Sequence, residues 1–218
     1  NEFEKRNIAK PVISVVTQVR VDKEDPSFKK PSKPIGPFYT KEEADAEAAK
    51  DGSTYVEDAG RGYRKVVPSP MPKEIVEKEA VRALVEADVL TICSGGGGIP
   101  VVAEDGQYVG VEAVNDKDFS ARVLAENVDA DRLIILTGVD NIYINYNQPD
   151  QKALEQISVA EAEEYIKEGH FAAGSMLPKI EAALDFVKGD DKRKAIITSI
   201  ENLENIDKES GTVISQKG

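Results

Sequence analysis

From Val89 onward, short β-branched apolar runs alternate with stretches of helical periodicity, and that rhythm admits few folds. Strands separated by helices imply crossover connections, and so a mostly parallel sheet covered on both faces: an α/β architecture. The runs are Val89–Cys93, Arg132–Leu136, Ala195–Ile200 and Thr212–Ser215. Between them, helices are expected from about Asp118 to Asn127, from Ser158 to about Lys167, and over Met176–Lys188. Ser158 and Glu161 form a capping box for the second helix. Ile180, Ala183, Leu184 and Val187 line one face of the third. A hairpin, Pro100–Val102 against Tyr108–Val114, interrupts the alternation.

The first 88 residues are less regular. Pro11–Val19 reads as a buried strand. Residues 22–72 read as an excursion, polar and punctuated by prolines. Within it, Thr40 and Glu43 make a capping box for a helix to about Lys50. Thr54–Glu57 pairs with Tyr63–Val67 around Asp58–Gly62. After Pro68, Pro70 and Pro72, a helix is expected from Lys73 to about Ala87.

Composition narrows the function classes. A net charge of −12 with no basic stripe argues against a nucleic-acid partner. It leaves room for a phosphorylated small molecule, because a few lysines in a cleft can reverse the local field. A single cysteine, Cys93, excludes an internal disulfide framework and fits a reducing cytosol. No apolar run reaches the length of a membrane span. One histidine and one cysteine make a zinc site improbable.

Four consecutive glycines, Gly95, Gly96, Gly97 and Gly98, end the Val89–Cys93 run. They serve either a tight turn or a loop whose backbone approaches an anion. Three lysines stand in unusual settings. Lys33 lies among Pro31, Pro34 and Pro37, which either leave it on the surface or aim it. Lys117, between Asp116 and Asp118, begins a helix that Asp116 can cap; a cation there opposes the helix dipole unless an anion binds. Lys179 follows Pro178 in the first turn of another helix, with the same mismatch. His170 is expected to pack or hydrogen-bond rather than catalyse.

Taken together, these motifs resemble the carbamate kinases, a branch of the amino acid kinase family. The likeness runs through Thr17-Gln18-Val19, Lys33-Pro34-Ile35-Gly36-Pro37-Phe38, Gly95-Gly96-Gly97-Gly98-Ile99-Pro100, Asp116-Lys117-Asp118, Leu136-Thr137-Gly138-Val139-Asp140 and Gly174-Ser175-Met176-Leu177-Pro178-Lys179. It implies a three-layer αβα fold, with residues 22–72 as a protruding subdomain over the carbamate end and 88–218 as the nucleotide-binding half. It implies a cytoplasmic homodimer that moves a phosphoryl group reversibly between Mg²⁺·ATP and carbamate, giving ADP and carbamoyl phosphate, usually toward ATP in arginine breakdown. Lysines matching Lys33, Lys117 and Lys179 surround the transferred group in the family, and Asp118 matches the carboxylate that orients them. Gly95–Gly98, Asp116, Thr137, Val139, Tyr143, Tyr146 and Met176 match nucleotide-site positions; the resemblance names no direct Mg²⁺ ligand.

The family also opens with a strand and two glycine-rich loops that hold phosphate and carbamate. None of these precedes Pro11 in this sequence, which begins at Asn1 without Met. The 218 residues are therefore expected to be the C-terminal part of such a domain and impaired when taken alone. Two alternatives stay open: another amino acid kinase, or a non-catalytic nucleotide-binding module.

Overall fold

A computed structural model describes residues 2–58 and 60–218; Asn1, and Ala59 in the expected Asp58–Gly62 turn, lie outside the described residues. The chain divides into two compact units, residues 1–77 with 87–120, and 78–86 with 121–218.

The first unit starts with a short helix, α1 (Glu2–Lys5), followed by strands β1 (Val12–Ser14), β2 (Gln18–Arg20) and β3 (Lys33–Tyr39). Helix α2 (Lys41–Asp51), β4 (Thr54–Glu57), β5 (Tyr63–Val67) and β6 (Glu74–Ile75) come next. Strands β7 (Leu90–Ile92), β8 (Ile99–Glu104) and β9 (Gln107–Gly110) complete it. The expected Pro11–Val19 strand is in fact two. β1 pairs in parallel with β7, while β2 pairs in parallel with β8 after a break at Val15–Thr17. The break has a cause: Thr17 is buried, and its hydroxyl accepts a hydrogen bond from the Ser94 amide at 2.7 Å. Nor is the run buried throughout. Val12, Ile13 and Val16 are exposed, as are Leu90 and Ile92 on β7, and of the run's apolar residues Val19 alone is fully buried.

The helix expected from Lys73 is also shorter than its pattern suggests. Glu74 and Ile75 pair antiparallel with Arg20 and Val19 instead, Ile75 is fully buried, and Glu74 meets Arg20 at 2.9 Å. Tertiary pairing overrides the local helical signal there. In the excursion, β3, β5 and β4 form an antiparallel sheet in that order. Lys33 thus begins a strand rather than sitting in a loop. Pro34 and Pro37 are tolerated because β3 is an edge strand with a register shift between Ile35 and Tyr39. α2 has the expected capping box: the Glu43 amide donates to Thr40 Oγ1 (3.2 Å) and the Thr40 amide to Glu43 Oε2 (2.8 Å).

The second unit holds α3 (Lys78–Glu86) and most of α4 (Lys117–Asn127), whose first turn belongs to the first unit. Strands β10 (Arg132–Thr137), β11 (Ile142–Ile144), β12 (Lys152–Leu154) and β13 (Gln156–Ser158) follow, then α5 (Val159–Lys167), α6 (Met176–Lys188), β14 (Lys194–Ser199) and β15 (Thr212–Ser215). The main sheet has the order β10-β14-β15-β13, with β10·β14 and β13·β15 parallel. β14 is buried along nearly its whole length, as a strand covered on both faces must be. α6 packs Ile180, Ala183, Leu184 and Val187 into the core, together with Phe186, Ile135, Ile197 and Ile214.

Candidate active site

In the first unit the glycine run is the turn between β7 and β8. Ser94, Gly95, Gly97 and Gly98 all have positive φ. Three hydrogen bonds pin this turn. The Ser94 amide donates to Thr17 Oγ1, the Ile99 amide to the Thr17 carbonyl at 2.9 Å, and the Gly97 amide to the Ser94 carbonyl at 2.6 Å. At Gly97 no side chain fits: its φ is +133°, and a Cβ would lie 2.5 Å from the Asn115 carbonyl oxygen. The Gly97 carbonyl accepts from Asn115 Nδ2 (3.2 Å) and from Ser120 Oγ (2.8 Å), both buried. The glycine turn is therefore seated on the segment that opens α4. Beside it runs a groove of about 440 Å³ lined by Val15, Val16, Cys93, Ser94 and Gly96. Burial pushes the Cys93 thiol above its ordinary range.

Asp116 is the N-cap of α4. Its Oδ1 accepts from the Asp118 amide at 2.9 Å, and its carbonyl accepts from the Ser120 amide at 3.0 Å. Its other oxygen, Oδ2, accepts from Lys33 Nζ, 83 residues away in sequence. Burial would raise the Asp116 carboxyl. The hydrogen bonds from Lys33 and the Asp118 amide, with the charges of Lys33 and Lys117, outweigh it and hold the group below its ordinary value. Asp118 is buried one residue beyond Lys117. The structure thus brings Lys33, Asp116, Lys117 and Asp118 to one place, beside a turn built from Gly95–Gly98.

The remaining predicted residues fall in the second unit. Thr137, Val139, Tyr143, Tyr146 and Met176 all line a single cavity of about 710 Å³. The Tyr143 and Tyr146 rings stand 5.9 Å apart at 45° and give it an aromatic wall. Asn145, Gln148, Phe171 and Ser175, which sequence reasoning missed as site residues, also line it, as does His170. A local signal existed: Asn145 and Asn147 adopt positive φ in the β11–β12 turn, where asparagine is favoured. Lys179 lies three residues beyond Met176 in the first turn of α6. His170 does what was expected of it: Nε2 meets Glu168 Oε2 at 3.0 Å, and the ring stands edge-on to Tyr165.

The hairpin that carries Tyr143 is anchored by a residue no motif flagged. Thr212 is fully buried, its Oγ1 accepts from the Ile142 amide at 2.8 Å, and its hydroxyl donates to the Leu154 carbonyl.

The sequence model of the Amino acid kinase family matches residues 39–199. Carbamate kinase of Clostridium perfringens is 55% identical over 214 residues, covering 98% of this chain and 68% of its own length. A solved structure of Giardia lamblia carbamate kinase bound to citric acid superposes with a TM-score of 0.90 at 42% identity, over 99% of this chain and 68% of that one. The same enzyme bound to AMP-PNP gives a TM-score of 0.86 at 45% identity, with the same coverage. The chain thus spans roughly two thirds of the length of the relatives it matches. A family match across most of the sequence, with 55% identity over nearly all of it, makes this chain a member of the amino acid kinase family, in its carbamate kinase branch.

Proposed function

We propose that this chain transfers a phosphoryl group reversibly between ATP and carbamate, and that it runs chiefly from carbamoyl phosphate and ADP toward ATP, as arginine breakdown would require. The observation that carries this reading is the meeting of Lys33 with the Asp116-Lys117-Asp118 helix start beside a pinned glycine turn. Phosphoryl transfer asks little covalent chemistry of a protein; it asks for positioning and for positive charge around the moving group. Lys33 supplies that charge at the carbamate end, and Lys117 supplies it toward the β- and γ-phosphates. A cation at the start of α4 opposes the helix dipole, and an anionic substrate relieves the conflict.

The cavity lined by Tyr143, Tyr146 and Met176 takes the nucleotide, with the two rings stacking on the base and Lys179 serving its phosphates. The AMP-PNP complex of the Giardia relative supports a nucleotide ligand. No three His, Cys, Asp or Glu side chains converge among the described residues. A Mg²⁺ ion would enter with the nucleotide, held by its phosphates and by water. When bound, it would neutralise charge on the β- and γ-phosphates. A homodimer in the cytoplasm belongs to the same proposal. So does a lower rate for these 218 residues alone than for a chain of the relatives' full length.

The test is ATP formation from ADP and carbamoyl phosphate, read by luminescence, beside acetylglutamyl phosphate and uridine diphosphate as competing donors. ATP formed only from carbamoyl phosphate supports the proposal. Preference for another donor, or ADP binding with no transfer from any of them, overturns it.

A further inference from the structure

We propose that Asp116 is a positioning residue, one carboxylate that sets both Lys33 and the first turn of α4, and through them the charge presented to the acyl phosphate. The inference rests on the reading above and goes beyond the nucleotide-binding role that the resemblance implies for this position. Both oxygens are already engaged by protein donors: Oδ1 by the Asp118 amide at 2.9 Å, Oδ2 by Lys33 Nζ. Each oxygen thus has a protein donor, one a lysine and one the helix start, and the carboxylate's charge would repel phosphate. It does suit a residue that holds cations in place.

The geometry gives the link its use. Lys33 opens β3, which belongs to the excursion, while Lys117 and Asp118 open α4. Asp116, just before that helix, lies 83 residues from Lys33 along the chain, so the backbone alone does not set their spacing. The Asp116 side chain, only 13% exposed, spans that gap directly. Its negative charge also offsets the unfavourable placement of Lys117 at the positive end of the helix. The Asn115 and Ser120 bonds to Gly97 fix the same segment to the glycine turn, so the carboxylate sits on a rigid base.

Asp116→Asn separates the two jobs, because asparagine caps helices about as well as aspartate but cannot form the ion pair. The variant should fold, with a melting temperature lowered by a few degrees through loss of the ion pair. Two readouts follow Lys33. In a spectrum of ¹⁵N-labelled lysine side chains, the Lys33 ammonium signal, assigned by its loss in Lys33→Met, should move or broaden in Asp116→Asn while the Asp118 amide keeps its capped shift. In carbamoyl phosphate-dependent ATP synthesis, kcat should fall by roughly 10-fold or more, the cost of a displaced charge, with the KM for ADP unchanged. In the Lys33→Met background, Asp116→Asn should then cost less than about 2-fold, since the two act through one interaction. A full kcat in Asp116→Asn, multiplicative losses in the double variant, or an unmoved Lys33 signal would overturn the proposal. If the parent chain makes no ATP, the functional reading fails by itself, and the ammonium signal still decides whether Asp116 holds Lys33.

Discussion

Replacing Thr212 with valine removes one hydroxyl and leaves the shape almost unchanged, and the consequence can be worked through group by group. Thr212 is fully buried, and its oxygen is the acceptor for the Ile142 amide at 2.8 Å. Ile142 is itself fully buried, so in Thr212→Val that amide loses its partner with no water to replace it; a buried donor left so costs about 1–3 kcal/mol. The Leu154 carbonyl also loses the Thr212 hydroxyl, but it keeps Asn141 Nδ2 at 3.1 Å, so its loss is the smaller, about 1 kcal/mol. The added methyl returns up to about 0.8 kcal/mol of apolar burial. The balance is a destabilisation of about 2 kcal/mol. With a urea dependence of about 2 kcal/mol per molar, the unfolding midpoint should drop by about 1 M. Thr212→Ser keeps the hydroxyl and should lose half as much or less. Because the same hairpin carries Tyr143, Mg·ADP affinity should weaken in the valine variant as well. A valine variant within about 0.5 kcal/mol of the parent chain, or a serine variant equally destabilised, would refute the reasoning.

Three further outcomes are expected. Gly97→Ala should destabilise the chain by at least about 2 kcal/mol and abolish ATP synthesis, because the new Cβ meets the Asn115 carbonyl at 2.5 Å in a positive-φ backbone; Gly96→Ala, with open space around it, should be mild, and equal effects in a denaturation series would contradict the packing described. The Asp51 carboxyl should titrate at about 2, held down by the Ser53 amide and then by Lys65; its folded value lies below its unfolded one, so its stabilising contribution is present above about pH 4 and fades as pH falls toward 2. Carboxyl-detected NMR titration checks this, and a midpoint near 3.8 would be the contrary result. Cys93 should react with a disulfide reagent at neutral pH more slowly than free cysteine, because burial keeps its thiol protonated; a reaction at the free rate would place it elsewhere.

The parts of the fold legible in the sequence were those governed by local chemistry. The capping boxes at Thr40 and Ser158 fix α2 and α5. The boundaries of α6 and β15 follow from apolar spacing alone. What sequence reasoning misplaced depended on distant partners. The break at Thr17 exists because Ser94, 77 residues away, donates to its side chain. Glu74 and Ile75 are a strand because Arg20 and Val19 are there to pair with them. The candidate site shows the same division. Lys117 and Lys179 stand out in the sequence because a cation at a helix start is locally unfavourable. The bond between Asp116 and Lys33 has no local signature, and neither has the anchoring role of Thr212.

The proposed function requires the second unit's cavity to bind nucleotide. A calorimetric titration of the 218-residue chain with Mg·ADP, alongside Lys179→Ala, tests that directly. Saturable one-to-one binding is expected, weakened by about 10-fold or more in Lys179→Ala through loss of a charge-assisted contact to phosphate. A folded chain that binds no ADP, or a Lys179→Ala variant that binds it as tightly as the parent, would contradict it.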